Sequence, residues 1–450
     1  YILSGGIYSA TTGVTEINSS NVYNQVILLS STGLITPNTG TFKIVSPGIE
    51  REIAPSTTGI NFYNLDVNTT DLVVDTSGTP YLNIANDLNV TSGIFNTSYD
   101  DVYLNVTGDT IIANGATFIG YTYDQWFGSL TIESGGTYEA SSATTTITSE
   151  TAGGRAINNS GILTANSGTF NITTSGNTVI ENETTGSGNL YNLVVDKTNE
   201  LYTPSGMIID NNLTVDAGVV YPQSNSWVWT VTGDVIINNG GTIGNGGLSG
   251  AASFGSLTIN TGGTYSATTG TTTITSEDGS HYAFYNNGGT ITHNLGIFNF
   301  TQTASEGAYS QIYDAGTGDL NNLVVGTTGS NQLRQIGALT IEGNLTSEAS
   351  SEYAFGGSAT RHLTVTQDVV IDGDINGGSN GASGTFGSLT INSGGTYSAT
   401  SGTTTITSET EAGWALNNDG TYTHNDGTLT LDGPSTFFEP NSDPLYIVNS

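Results

Sequence analysis

At 450 residues the chain is far longer than one ordinary globular core, a limit that a tandem array escapes by growing in one direction. Six Lys and Arg against 39 Asp and Glu leave a net charge of -33, which excludes nucleic acid and anionic membrane surfaces as partners. With no cysteine there are no disulfides or thiolate metal sites, and no apolar run approaches the roughly 18 residues of a transmembrane helix, so no membrane insertion is expected.

Read in chain order, residues 2–10 match the interior of a motif that is seen in full further on, so the array is expected to start inside a unit. Residues 33–42 reappear as 161–170, 289–298 and 420–429, and residues 62–67 reappear as 190–195, 320–325 and 445–448. The fullest motif is Phe-Gly-Ser-Leu-Thr-Ile, headed by Phe127, Phe254 and Phe386. Each copy runs on through Gly-Gly-Thr-Tyr to Thr-Thr-Thr-Ile-Thr-Ser-Glu. The phenylalanines lie 127 and 132 residues apart, which defines a tandem unit of about 130 residues. The expected units are 1–126, 127–253, 254–385 and 386–450, the first and last truncated, in one continuous solenoid over 1–450. Beginning at Tyr1, the chain reads as a processed or truncated product.

A shorter period runs inside the unit. Leu193-Val194-Val195, Leu213-Thr214-Val215, Val235-Ile236-Ile237 and Leu257-Thr258-Ile259 step by 20, 22 and 22 residues, each a short strand signal closed by Gly, Asn or Asp. A step of about 22 residues holds two or three short strands with their turns, which is one rung of a parallel β-helix. The density of Gly, Thr, Val and Asn disfavours helices. The expected fold class is therefore all-β, a right-handed parallel β-helix with about six coils per unit. Leu193, Val195, Leu213, Val215, Val235, Ile237, Leu257 and Ile259 are predicted to face inward, with alternate residues outward.

Alternation places Ile111, Val194, Ile236, Val324 and Val370 on the outside, where a lateral assembly stripe would set them against a neighbouring copy. The plainer reading is a long turn folded back over them or a local break in the alternation. No catalytic, cofactor or metal residue is assigned, because a unique site should break the repeat and no convincing break is seen. The recurrent acids Asp109, Asp234 and Asp368, and Glu150, Glu277 and Glu409, read as turn residues or a solvated face. The pair Asp372 and Asp374 lacks the further ligands of a calcium loop. His281, His293, His362 and His424 read as surface residues. The outward series Val194, Thr214, Ile236, Thr258 breaks the Thr ladder that an ice-binding surface needs.

The units at residues 393–407, 420–430 and 190–195 resemble those of large repetitive β-helical surface proteins, the haemagglutinin- and autotransporter-type adhesins, and similar arrays in viral tail fibres. The resemblance implies a non-enzymatic extracellular structural protein that assembles with itself into a cell-surface filament, sheath or adhesive stalk, with no cofactor. A viral tail fibre or spike on the virion surface is the first alternative. A polysaccharide-binding or polysaccharide-degrading β-helix, with cell-surface glycans as partners, is the second. In architecture the chain also resembles pectate lyases and phage depolymerases, whose sites are outward clusters of acids. Here Lys43, Arg51, Arg155, Lys197, Arg334 and Arg361 are spread along the sequence without such a cluster.

Overall fold

The computed structural model describes all residues except 19–24, 30–32, 55–58, 75–80, 98–101, 183–186, 205, 223–227, 245–248, 302–308, 327–331, 434–436 and 440–450. The last copy of the 62–67 motif, at 445–448, lies outside the described residues. Among those described there is no helix, only strands that pair in parallel with segments about 23 residues away. The fold is a β-solenoid of about 16 turns. By contacts it divides into two compact units, residues 1–210 with 216–223, and residues 211–215 with 224–450.

Each unit carries three ladders per turn, one on each face of the coil. In the first unit they are Leu65, Leu88, Thr110, Leu130, Ile157, Ile180; Phe95, Phe118, Tyr138, Leu163; and Phe127, Ile147, Ile172, Val195. All eight residues predicted to face inward are fully buried. Removing a Leu, Ile or Val side chain from water contributes about 1.5–3 kcal/mol, so continuous aliphatic rows supply what disulfides do not. Aromatic rings extend the rows: Phe95 packs on Phe118 at 5.0 Å between ring centres, and Phe118 on Tyr138 at 5.1 Å.

The ladders also measure the tandem unit. In the second compact unit Phe254 stacks through Ile274, Phe300, Val325 and Ser347 to Ile371, five turns on, and a sixth turn reaches Ile391. Phe386, the next copy of Phe254, stands one face before Ile391, on the Val365–Phe386–Ile406 ladder. The unit therefore advances five and two-thirds turns, which sharpens the expected six. The first compact unit does the same. Phe42 stacks through Leu65, Leu88, Thr110 and Leu130 to Ile157, and its copy Phe170 comes one face before Ile180. Within each compact unit the next copy of the repeat thus stands on a new face, because the turns are unequal in length and do not sum to a whole number of coils.

Candidate functional site

The residues that the repeat preserves are occupied in joining one coil to the next. At Asp109, Asp234 and Asp368 the parallel ladder slips register, so the backbone there loses its regular partner. A side chain from the preceding coil takes over. The N–H of Asp109 donates to Asp87 Oδ1 (3.0 Å), that of Asp234 to Asn212 Oδ1 (2.8 Å) and that of Asp368 to Asn344 Oδ1 (3.0 Å). Each aspartate then accepts from the serine of Phe-Gly-Ser-Leu in the following coil: Ser129 at 2.6 Å, Ser256 at 2.7 Å and Ser388 at 2.6 Å. The serines are buried, so this bond satisfies a hydroxyl that water does not reach.

The glycine before each serine is dictated by the same corner. A Cβ on Gly128 would lie 2.4 Å from the Gly108 carbonyl oxygen, one on Gly255 2.5 Å from that of Gly233, and one on Gly387 2.5 Å from that of Gln367. Only glycine lets the coils close to ladder spacing here. The recurrent aspartates, read from the sequence as turn residues or a solvated face, lie within strands at the register slip, where each has a definite task. Sequence reasoning missed their partners. The signal was present as an Asx 22 or 24 residues before each aspartate and a Ser 20 or 22 residues after it.

Two further bonds recur. The buried Tyr138, Tyr265 and Tyr397 set their hydroxyls against Thr145, Thr272 and Thr404 at 3.3, 2.7 and 3.0 Å. Burial drives these phenols well above their ordinary range and keeps them neutral. Tyr138 also donates to Gln125 Oε1 at 2.6 Å, and Tyr353 donates to Gln335 Oε1 at 2.8 Å. At the Asn-x-Gly turns Asn166, Asn294 and Asn425 adopt positive φ of 47 to 49°. Their side-chain amides donate to the carbonyls of Ala140, Ala267 and Ala399 in the preceding coil, at 2.9, 2.7 and 2.8 Å.

The outward residues are not gathered into one stripe. Ile111, Val194, Ile236, Val324 and Val370 all point outward and are half-buried. In the first compact unit Ile111 belongs to the ladder Asn89, Ile111, Thr131, Asn158, while Val194 follows Trp126, Thr146 and Asn171 on another face. In the second, Val324 and Val370 share a face with Thr346 between them, and Ile236 lies on a different face beside Thr258, Tyr285 and Tyr313. The stepping of the repeat from face to face is the reason. Ile236 is followed on its ladder by Thr258 and Tyr285, so the Thr ladder is interrupted there as well.

The remaining polar candidates have local partners. His293 faces Glu342 at 2.9 Å, His281 faces Glu277 at 3.0 Å and His362 faces Ser383. Asp372 accepts from Asn392 at 2.8 Å. Arg155 pairs with Glu181, and Arg334 lies 3.9 Å above the Tyr309 ring. Among the described residues no three His, Asp or Glu side chains converge to hold a metal ion. No described helix is long and apolar enough to cross a membrane. No protein-family description matches the chain, and no curated protein or solved structure gives a significant match.

Proposed function

We propose that the chain is a non-enzymatic structural protein of a cell or virion surface, a β-solenoid segment that assembles with other copies into a filament, sheath or adhesive stalk. The observation that supports this reading is where the repeat places its most constant residues. The Asp–Ser clasp, the buried Tyr–Thr pair and the Asn staple all bond one coil to its neighbour or close a coil on itself. A repeat selected for recognition would keep its constant residues on the outside. The clasp, the pair and the staple are all in the joints.

The stepping of the unit by one face refines the assembly idea. An outward contact copied in every unit is not displayed along one side, so lateral packing that uses it engages neighbours in different directions. One step of five and two-thirds turns spans about 27 Å at ~4.8 Å per turn. Electron microscopy of the native assembly tests the proposal. A filament or sheath with an axial repeat near that length agrees with it, and discrete monomers under native conditions would refute it. Incubation with a panel of glycans separates the polysaccharide reading, for which retention or cleavage is required.

A further inference from the structure

The repeat is broken on one outward face of the first compact unit. Tyr81 and Tyr103 stand in register on adjacent coils with their rings stacked, 5.3 Å between centres and 23° between planes. On the next coil Tyr103 meets Tyr123 edge-on at 5.1 Å and Trp126 at 6.4 Å. Tyr81 is 51% exposed, and the other three rings are half-buried. Beside the rings runs a row of amides, Asn61, Asn83 and Asn105, which Trp126 continues. Asn83 donates to Asn61 Oδ1 at 3.1 Å, and Asn105 is exposed.

The later copies carry no such surface. Ile84, Ile209 and Ile341 pair alike with Phe62, Leu190 and Leu320 of the preceding coil. Counted back from them, Tyr81 stands where the later units have Gly206 and Ala338, and Asn83 where they have Ile208 and Thr340. Counted back from Val106, Val231 and Val365 at the register slip, Tyr103 corresponds to Val228 and His362, and Asn105 to Thr230 and Thr364. Tyr123 and Trp126, just before Phe127, correspond to Gly250 and Ser253, and to Ala382 and Thr385. These positions face outward in the later copies as well, Val228 being 51% exposed and His362 exposed. The coils therefore close without the rings, which are an addition to the repeat and not one of its joints.

We propose that Tyr81, Tyr103, Tyr123 and Trp126, with Asn83 and Asn105, form a binding platform for a neutral glycan. An aromatic face carries partial negative charge and attracts the polarised C–H groups on the apolar side of a sugar ring. Amides both donate to and accept from its hydroxyls. A net charge of -33 turns anionic ligands away. The polar groups in register beside the rings are amides and not carboxylates, which suits hydroxyls better than a cation. The platform needs no self-assembly, so a chain that forms no filament can still bind.

The full chain is titrated with cellohexaose, maltohexaose and chitohexaose by calorimetry and tryptophan fluorescence, with polygalacturonate, tetramethylammonium and poly-L-proline as controls. One site per chain is expected for at least one neutral oligosaccharide. Tyr103→Val with Trp126→Ser, the residues of the second unit, should weaken it roughly tenfold or more and leave the circular dichroism unchanged. Asn105→Thr should weaken it about threefold. Failure of all three oligosaccharides to bind, a control that binds as tightly, or an affinity unchanged in the variants would overturn the proposal. Should the double variant fail to fold, Asn105→Thr, at an exposed position, decides alone.

Discussion

The hydroxyls of Tyr265 and Thr272 meet at 2.7 Å inside the solenoid, both side chains almost wholly buried and seven residues apart in the chain. The pair explains why the motif couples its tyrosine to a threonine run at fixed distance. A phenol carried into an aliphatic core must bring its own partner.

Removing one member of that pair strands the other. Tyr265→Phe is expected to destabilise the second compact unit by ~1–2 kcal/mol, and Tyr265→Phe with Thr272→Val by distinctly less than the sum of the single changes. Urea unfolding of the four species of this cycle gives the coupling directly. Tyr138→Phe should cost more than Tyr265→Phe, since Tyr138 also holds Gln125.

The clasp makes a different demand. Asp234→Ala leaves the buried Ser256 hydroxyl without its acceptor and should cost about 1–3 kcal/mol, whereas Asp234→Asn retains an oxygen for it and should cost less than half as much. Amide hydrogen exchange should locate the loss at residues 229–237 and 252–260, the two strands that the clasp joins.

Glycines separate by position rather than by number. Gly255→Ala forces a Cβ to 2.5 Å from the Gly233 and Thr232 carbonyl oxygens and should destabilise by ~3 kcal/mol. Gly240→Ala meets no atom within 4 Å but carries φ of +90°, so backbone strain alone should cost ~1 kcal/mol. Gly279→Ala has neither obstacle and should be close to neutral. Melting temperatures in the order Gly279→Ala, Gly240→Ala, Gly255→Ala, from highest to lowest, check this.

Asp314 links stability to pH. Burial raises its pKa to about 6, against the opposing bonds from Gly316 N–H and the Asn286 amide. Between the ordinary carboxyl value of 3.8 and about 6 the folded chain therefore holds a proton that the unfolded chain has lost. Its contribution is full below pH 3.8 and disappears as pH rises through 6. Asp314→Asn keeps an acceptor for both donors and removes the titration. The variant should be more stable than the parent at pH 7, with the difference shrinking toward pH 4. Denaturant midpoints at the two pH values measure it.

Outward valines test lateral assembly. Val324 and Val370 stand on one face of the second compact unit, two coils apart, so Val324→Asp with Val370→Asp should weaken self-association while leaving the fold intact. Adding Ile236→Asp, on a different face, should weaken it further if neighbours pack in more than one direction. Light scattering with circular dichroism on the same samples reads both properties.

What the sequence determined by itself is what depends on local chemistry. Alternating β-branched residues closed by Gly, Asn or Asp define a short strand and its turn. Their recurrence at a nearly constant step implies stacking, and alternation assigns Leu257 and Ile259 to the interior and Thr258 to the surface. All of that holds in the structure. The recurrence of Asp234 was legible, but not its bond to Ser256, because that contact joins different coils and depends on where the ladder slips. Tertiary structure alone decided which face each residue occupies. A face is the running sum of every turn length before it, and small inequalities between turns accumulate to a third of a turn per unit. For that reason Ile236 and Val324, alike in pattern, stand on different faces.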